Sequence, residues 1–214
     1  MSAFDPDLPP DLILASASPR RRELLERVGL RLAVMPTELD ESVRPGEAPA
    51  DYVRRIANEK AAAAVQALAD RATLRAETPV LAADTTVIVD GRALGKPHDE
   101  ADARTMLMSL AGRRHEVTTA YRIVLGKREA DRAVTTTVAF RLLDPREVDA
   151  YVAGGEWRGK AGGYAVQGVA AAFVTDLRGS PTNVIGLPLA EVLADLRALG
   201  ALPRYPGDRF APAA

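Results

Sequence analysis

Short apolar runs alternate with helical spacing along the first third of the chain. The pattern predicts a strand over residues 12–15, a helix over residues 20–28, a strand over residues 32–35 and a helix over about residues 50–68. Ser18 is placed to cap the first helix, Pro19 suits its first position, and Gly29 ends it. This succession of strands and helices indicates a layered arrangement.

A polar triplet interrupts the most apolar stretch of the chain. Residues 79–83 and 87–89 have strand character, and Asp84, Thr85 and Thr86 lie between them. Since Asp84 follows Leu-Ala-Ala, we expect it to emerge from the strand into a partly enclosed space, where an unpaired carboxylate is costly. A metal ion or a cation would offset that cost, and a bond to Thr85, Thr86 or a nearby lysine is the simpler alternative.

The remainder of the chain continues to mix strands with helices. It predicts a turn at Asp90-Gly91, a helix from the cap Asp99 to Leu110 ended by Gly112, strands over 115–125 and 133–143, a helix opened by Asp144-Pro145, a strand over 170–176 and a closing helix over 187–199. Adjacent strands argue against a purely parallel sheet, so we predict an α/β or α+β fold with a mixed sheet. We assign residues 11–202 to one domain, between a flexible N-terminus, residues 1–10, and a C-terminal tail, residues 203–214.

Composition narrows the class of protein. The 214 residues, 47% hydrophobic and 27% charged, are enough for the core of one large domain or two closely joined lobes. A net charge of -1 excludes a general nucleic-acid binder, so any basic site must be local. The absence of cysteine excludes disulfides and thiolate chemistry, and no run is apolar enough to be a signal or membrane segment. We therefore expect a cytoplasmic protein.

Arg20, Arg21 and Arg22 crowd the first turn of the first predicted helix. Free N–H groups and the positive end of the helix dipole attract anions there. Cations at this end oppose the dipole at about 0.3–1 kcal/mol each, so the placement is unfavourable unless an anion is bound. With Ser16 in the preceding turn, the junction predicts a phosphate site, and a solvated cationic helix face is the alternative.

Other charged residues add to this candidate site. Lys60 lies on an alanine-rich helix, and Lys96 follows the turn after Asp84. An acidic loop could provide a second carboxylate from Glu38, Asp40 or Glu41, and a simply solvated loop is the alternative. Lysines and arginines neutralise phosphate, whereas carboxylates hold Mg²⁺ through oxygen. Walker A and GxGxxG patterns are both missing from the sequence. The residues therefore predict a site for a metal-bound polyphosphate whose phosphates are bound by a structure other than these two motifs.

A glycine-rich segment, residues 160–168, has features that suit a nucleobase. Its glycines permit close backbone approach, Tyr164 supplies a ring, and the Gln167 amide can donate and accept hydrogen bonds together. A glycine-rich hairpin with a solvated Gln167 is the alternative. The only histidines, His98 and His115, have no second ligand nearby, and we interpret both as structural.

Seven ordered motifs resemble those of the Maf-like nucleotide pyrophosphatases. They are Leu14-Ala15-Ser16-x-Ser18-Pro19-Arg20-Arg21, Asn58-Glu59-Lys60-Ala61, Ala83-Asp84-Thr85, Leu94-Gly95-Lys96-Pro97, Leu110-Ala111-Gly112, Lys160-Ala161-Gly162-x-Tyr164-x-x-Gln167-Gly168 and Asn183-Val184-x-Gly186-Leu187-Pro188. The resemblance implies hydrolysis of a nucleoside triphosphate to its monophosphate and pyrophosphate, dependent on Mg²⁺ or Mn²⁺. It also implies a two-lobed α/β fold, like that of inosine triphosphatases, with a mixed sheet flanked by helices and a central cleft.

The resemblance also implies roles for individual residues. Asp84 matches the catalytic carboxylate, and Asp84 and Glu41 match the metal site. Matches to phosphate and substrate contacts are Ser16, Arg20, Arg21, Lys60 and Lys96. Where the family commonly has an acid before Lys-Ala-Gly, this chain has Gly159, so that role would fall to Glu41, Glu156 or water.

Base preference divides the family. Arg20, Thr85 and Gln167 match the positions that mark its dTTP/UTP branch, whereas the branch that prefers 7-methyl-GTP has an aromatic residue near Arg20 and an acid at Gln167. An amide can pair with the N–H and carbonyls of uracil or thymine, and a carboxylate suits the donors of guanine. Arg20 would repel a cationic 7-methylguanine.

Two rival functions stay open at this point. One is a regulatory nucleotide-binding protein of cell division without turnover, against which Asp84 counts. The other keeps the reaction but acts on modified nucleotides, such as 5-substituted pyrimidine triphosphates or 7-methyl-GTP. The interpretation includes a nucleoside triphosphate as partner, excludes a membrane, and leaves a homodimer open.

Overall fold

The computed structural model describes residues 9–68 and 78–202. The predicted C-terminal tail, residues 203–214, and all but the end of the predicted N-terminal tail, residues 1–10, lie outside the described residues. The strands are β1 (Leu12–Leu14), β2 (Leu32–Val34), β3 (Val80–Val89), β4 (Arg92–Leu94), β5 (Arg114–Leu125), β6 (Arg128–Phe140) and β7 (Val174–Arg178). The helices are α1 (Pro19–Arg27), α2 (Pro49–Ala67), α3 (Glu100–Leu110), α4 (Pro145–Ala153), α5 (Pro181–Ile185) and α6 (Leu189–Ala198), with 3₁₀ turns at Ala161–Gly163 and Val169–Phe173.

Most predicted elements are confirmed, with ends that differ by a few residues. Helix α1 begins at Pro19, and Gly29 follows it with a φ of 82°. Asp99 and Asp144 cap α3 and α4, because each carboxylate accepts a backbone N–H of the first turn. The local sequence therefore determines where these helices begin.

Three predictions need correction. The expectation that Asp84 emerges from a strand is wrong, because β3 continues through the polar triplet and Asp84 pairs with Ala120 of β5. The predicted strand over 170–176 begins as a 3₁₀ turn and becomes a strand only at Val174. The predicted strand over 133–143 begins earlier, at Arg128, since the hairpin pairs this polar stretch with β5. For Asp84 and for Arg128, strand pairing overrides the local pattern.

The closing segment also differs from prediction. The helix expected over residues 187–199 is α6, which begins only at Leu189, and the separate short helix α5 precedes it. Pro188 occupies the N-cap position of α6, because a proline nitrogen cannot donate within a helix. The turn between the two helices places the carbonyl of Gly186 near the site described below.

The strands form one mixed sheet in the order β2-β1-β3-β5-β6-β7, with β4 beside β3. Strands β2, β1 and β3 are parallel, and the pairs β3–β4, β3–β5, β5–β6 and β6–β7 are antiparallel. The predicted mixed α/β sheet with flanking helices is thus confirmed. The assignment of residues 11–202 to a single domain of two lobes stays a prediction.

Alternation along β3 directs its side chains to two helical layers. Leu81 and Ala83 belong to the hydrophobic cluster that includes Leu24 and Leu25 of α1. Val80 and Ala82 pack instead with Ala61 and Ala64 of α2. Because successive side chains of a strand point to opposite faces, α1 and α2 cover opposite faces of the sheet.

The edge of β3 is open where the polar triplet lies. Strand β1 pairs with Val80 and Leu81, and β4 pairs with residues 87–89 of the same strand. Within residues 9–68 and 78–202, no strand pairs with that edge of β3 between these two stretches. The sheet therefore divides there, and side chains from its two faces can meet in one cleft. No described helix is long and apolar enough to cross a membrane.

Candidate functional site

A cleft of about 550 Å³ opens at this gap in the sheet. It lies beyond the carboxyl end of β1, the position where open α/β sheets place their ligands. All the residues predicted for the site line it: Ser16, Arg20, Arg21, Glu41, Lys60, Asp84, Thr85, Lys96 and Gln167. Folding thus brings together residues that lie up to 151 positions apart in the sequence.

The lining of this cleft is strongly cationic. Of its described lining residues, six are cationic, namely Arg20, Arg21, Lys60, Lys96, Arg158 and Lys160, and two are acidic, namely Glu41 and Asp84. The excess of four positive charges (six less two) contrasts with the chain's net charge of -1. The basic character is therefore local, as the composition requires, and its sign suits a polyphosphate.

Asp84 and Glu41 meet at the ammonium group of Lys60. Lys60 Nζ lies 2.9 Å from Asp84 Oδ1 and 2.7 Å from Glu41 Oε1, and both Asp84 and Lys60 are buried. Lys96 Nζ lies 3.5 Å from the other oxygen of Glu41. The simpler alternative for Asp84, a carboxylate paired with a lysine, is thus realised, but inside the cleft and shared with a second acid.

The charge of Glu41 is stabilised in this arrangement. Its partial burial raises the pKa, but the hydrogen bond and charge of Lys60, together with the charge of Lys96, outweigh burial and hold the pKa below its usual value. Glu41 is therefore ionised at neutral pH. Glu41 therefore offers a negatively charged oxygen ligand at this point of the cleft.

The first turn of α1 faces the cleft without a side-chain cap. Ser18 occupies the N-cap position as predicted, but its side chain accepts no hydrogen bond from the helix. Ser18 donates its own N–H to Ser16 Oγ, over 3.2 Å. The first turn contains no acidic residue, so its N–H groups keep their capacity to bind an external anion.

Arg21 is held rigidly at the start of this helix. Its guanidinium donates to Gly186 O at 2.8 Å, to Ser16 Oγ at 3.1 Å and to Thr85 Oγ1 at 2.9 Å. Burial lowers its pKa, and nearby Asp84 partly opposes that effect. Arg22 behaves differently: it is exposed and pairs with Glu26 at 3.7 Å. The alternative of a solvated arginine face therefore holds for Arg22 but not for Arg21.

A chain of hydroxyl groups continues from Arg21 into the core. Thr85 Oγ1 lies 2.9 Å from Thr119 Oγ1, and Thr119 donates to the carbonyl of Asn183 at 3.1 Å. The Thr85 hydroxyl has two acceptors within reach, Thr119 Oγ1 and, at 3.3 Å, the carbonyl oxygen of Gly186. Thr85 therefore orients Arg21, and its own proton is committed within the protein.

Asn183 anchors the far end of this chain. Asn183 is fully buried, and its side-chain amide donates to Val117 O and to Thr136 Oγ1, both at 2.9 Å. These bonds fix the α5 turn against strands β5 and β6. The carbonyl of Gly186, three residues later, is consequently in place to hold Arg21.

Arg20 and Gly159 meet across the mouth of the cleft. Arg20 Nη2 lies 3.4 Å from the carbonyl oxygen of Gly159, and partial burial lowers the Arg20 pKa. Desolvation, with the charge of Arg20, likewise lowers the pKa of Lys160. Glu156 does not replace the missing acid, because its carboxylate accepts bonds from Tyr151 Oη and from the backbone N–H groups of residues 169 and 170.

The glycine-rich segment forms the remaining wall. Gln167 is exposed at the cleft, whereas Tyr164 is buried, and its hydroxyl lies 2.8 Å from His115 Nε2. Burial lowers the His115 pKa to about 4, so His115 is neutral and packs as a core residue. Tyr164 belongs to an apolar cluster with Val87 and Val117, which also line the cleft. Tyr164 therefore presents an apolar wall and not a free ring.

Sequence reasoning missed three contributions to the site. Arg158 lines the cleft, Gly186 supplies the carbonyl that orients Arg21, and Tyr52 donates its hydroxyl to the backbone oxygen of Glu41 at 3.0 Å. Gly186 belongs to the motif of residues 183–188, to which the family resemblance assigns no role. Helical spacing predicts α2, which carries Tyr52, but spacing alone carries no sign of a hydroxyl bond.

Asp84 and Glu41 are the two acids of the described cleft lining that could hold a cation. No group of three or more acids or histidines that could enclose a metal occurs in the described part of the chain. Asp84 and Glu41 nevertheless offer oxygen ligands at one point, and Mg²⁺ is commonly held by one or two carboxylates plus substrate phosphates. The pair therefore fits a hard divalent cation that shares its coordination with a bound polyphosphate.

Comparison with known proteins places the chain in a family. A relative named dTTP/UTP pyrophosphatase from Anaeromyxobacter dehalogenans (strain 2CP-1) is 52% identical over 196 residues, covering 89% of this chain and 95% of the relative. Relatives with the same name from Cereibacter sphaeroides and Nitrosomonas europaea are 48% and 45% identical, covering 91% and 88% of this chain and 97% and 94% of their own lengths. A family model described as Maf-like protein matches residues 11–199. The chain belongs to the Maf-like protein family.

Proposed function

We propose that this protein hydrolyses dTTP and UTP to the nucleoside monophosphate and pyrophosphate. The observation that carries the proposal is the meeting of Asp84, Lys60 and Glu41 in a cleft that also contains the uncapped start of α1. The names of relatives about half identical over most of the chain support the pyrimidine substrate. The cationic lining supports a triphosphate over an uncharged ligand.

The reaction needs one water molecule and no covalent intermediate. Water attacks the α-phosphorus, the bond from that phosphorus to the bridging oxygen breaks, and the oxygen leaves with its electron pair on pyrophosphate. Asp84 accepts the proton of the attacking water, for which its buried place beside the cleft suits it. Lysine and arginine side chains neutralise the charge that gathers on the leaving pyrophosphate.

Specific groups would hold the substrate. Lys60 and Lys96 face the acids and the phosphates, and the first turn of α1 offers N–H groups to a phosphate oxygen. Ser16 Oγ accepts from Arg21 and from Ser18 N, so its own proton is available to donate. A divalent cation held by Asp84 and Glu41 would supply further neutralisation and polarise the phosphate. A cytoplasmic location and a homodimer fit the proposal.

A panel of triphosphates tests the function. The purified protein is incubated with Mg²⁺ or Mn²⁺ and dTTP, UTP, CTP, GTP, ATP, 5-methyl-UTP or 7-methyl-GTP, and pyrophosphate and monophosphate are both measured. We expect the highest kcat/KM for dTTP and UTP. Highest kcat/KM for a modified nucleotide would reassign the substrate. Binding without product from any nucleotide would favour the non-catalytic regulator and end the proposal.

Gln167→Glu is expected to lower kcat/KM for UTP about tenfold, the value of one lost hydrogen bond, while GTP hydrolysis stays level or rises. The exposed amide lies at the cleft and is free to pair with the N–H and a carbonyl of uracil, whereas a carboxylate can only accept. The ratio of kcat/KM for UTP to that for GTP is measured. Gln167→Ala separates loss of the amide from the added charge, and an unchanged ratio in both variants would show that the base is read elsewhere.

A further inference from the structure

Glu41 is the one acid of the candidate site that lies outside a helix or strand. The segment from β2 to α2 contains no helix or strand of its own, and Glu41 lies in its middle. A functional carboxylate must be held within about 0.5 Å of its working position, and loops do this poorly without support from neighbours. The contacts that hold this segment are therefore part of how the site works.

Two side chains of helix α2 donate hydrogen bonds to the backbone of this segment at two successive residues. Tyr52 Oη donates to the carbonyl of Glu41 at 3.0 Å, and Arg55 Nη2 donates to the carbonyl of Ser42 at 3.0 Å. Tyr52 and Arg55 are three residues apart and share one face of α2. The same helix carries Lys60, so one rigid element positions both the backbone of Glu41 and the cation that its carboxylate contacts.

Arg55 is itself fixed by acids on both sides. It forms a bidentate pair with Glu47, with distances of 2.6 and 2.8 Å, and a third bond to Glu59 at 3.2 Å. The Arg55 and Glu47 side chains are only 14% and 10% exposed, so this pair is shielded from solvent. The hydrogen bond from Arg55 holds the pKa of Glu47 at about 2. Arg44 joins the same group of charges, because its Nη2 forms an ion pair with Glu59 Oε1 at 3.0 Å.

We propose that Tyr52 and Arg55 are positioning residues that hold the Glu41 carboxylate against Lys60 and Lys96, in place for a cation shared with the substrate. The inference rests on the proposed function, because it assigns the two residues to the same reaction. Neither residue lines the cleft, so both act through Glu41. The planar guanidinium of Arg55 pairs with both carboxylate oxygens of Glu47 and also donates to the carbonyl of Ser42. A lysine ammonium lacks this bidentate geometry.

The experiment is a pair of double-mutant cycles, one combining Arg55→Lys with Glu41→Gln and the other combining Tyr52→Phe with Glu41→Gln. We expect each positioning variant to lower kcat and to raise the half-saturating Mg²⁺ concentration about tenfold, as loss of outer-sphere support commonly does. Binding of Mn²⁺ in the presence of an α,β-imido analogue of dUTP, measured by EPR, should weaken by the same factor. In the Glu41→Gln background, both substitutions should have almost no further effect.

Arg54→Lys is the matched control. Arg54 is the neighbouring arginine of α2, but it pairs with Asp131 at 2.8 Å, on β6 and away from the acidic segment. This variant should match the unchanged protein in kcat, Mg²⁺ dependence and Mn²⁺ binding. Melting temperatures identify any variant that loses its fold, and Tyr52→Phe, which removes one oxygen atom, carries the test if Arg55→Lys is unstable.

The possible results distinguish the positioning role of Tyr52 and Arg55 from the proposed hydrolysis of triphosphates. If Glu41→Gln impairs the enzyme but neither positioning variant does, the inference is overturned and the proposed function stands. Equal losses from Arg55→Lys with and without Glu41 would also overturn it, because Arg55 would then act by another route. If Glu41→Gln has no effect, the role of Glu41 and this inference fall together, while triphosphate hydrolysis by the unchanged protein still tests the reaction.

Discussion

Asp84→Asn is expected to lower kcat about 10²–10⁴-fold, the contribution of a well-placed general base, with a much smaller change in KM. Asparagine has nearly the same shape as aspartate but cannot accept the proton of the attacking water. The fold should survive, since β3 pairs with β5 through its backbone and Lys60 keeps Glu41 as its partner. The measurement is a steady-state comparison of kcat and KM for dTTP and UTP.

Asp131→Asn is a suitable control for this substitution. Asp131 also lies on a strand and pairs with an arginine, Arg54, but on β6 and outside the cleft. Removal of such a surface pair changes stability by about 1 kcal/mol or less and leaves the site untouched. Near-normal turnover by Asp84→Asn, with both variants folded, would remove Asp84 from catalysis and leave Glu41 as the candidate base.

The sequence allowed the site to be predicted better than the elements that carry it. Asp84 was conspicuous because a carboxylate among apolar strand residues needs a partner, and that argument holds although the strand continues through it. Lys60, on an alanine-rich helix, means little by itself and gains weight only beside the other charged residues. The family resemblance joined these residues, since nothing in spacing alone says that positions 41, 60 and 84 meet.

Other parts of the site depend on tertiary contacts that carry no local signal. The gap in the sheet exists because β1 and β4 pair with opposite ends of one edge of β3, which no single segment encodes. The role of Gly186 depends on a turn fixed by Asn183, whose partners lie on β5 and β6. Local patterns locate helices and caps well, but side chain to backbone bonds across the sheet appear only after folding.

Thr85 shows how a resemblance and a structure can assign different work to one residue. The resemblance implies that Thr85 helps to select the base, yet its hydroxyl bonds within the protein, to Thr119 Oγ1 and Gly186 O, and its oxygen accepts from Arg21. Selection through Thr85 would then operate through the position of Arg21 and of the α5 turn. This makes Arg21 the point at which phosphate binding and the core network join.

Arg21→Lys is expected to reduce both activity and stability. Loss of a hydrogen bond from a charged donor costs about 1.5–3 kcal/mol. The compact ammonium of lysine lacks the planar spread with which the guanidinium reaches Gly186 O, Ser16 Oγ and Thr85 Oγ1, so the free energy of unfolding should fall by at least that amount. We expect kcat/KM to fall about 10²-fold, since a preorganised donor at the phosphates is displaced. Denaturant unfolding and steady-state kinetics measure the two effects.

Arg22→Lys provides the comparison for Arg21→Lys within the same turn of α1. Its side chain is 52% exposed and, among residues 9–68 and 78–202, makes only the ion pair with Glu26. Stability should therefore change by no more than about 0.5 kcal/mol, and activity should be retained. If Arg21→Lys were as harmless as Arg22→Lys, Arg21 would belong to the solvated face of the helix. If it lost stability but kept kcat/KM, Arg21 would serve only the core network, and the phosphates would be held by the helix N–H groups and the lysines.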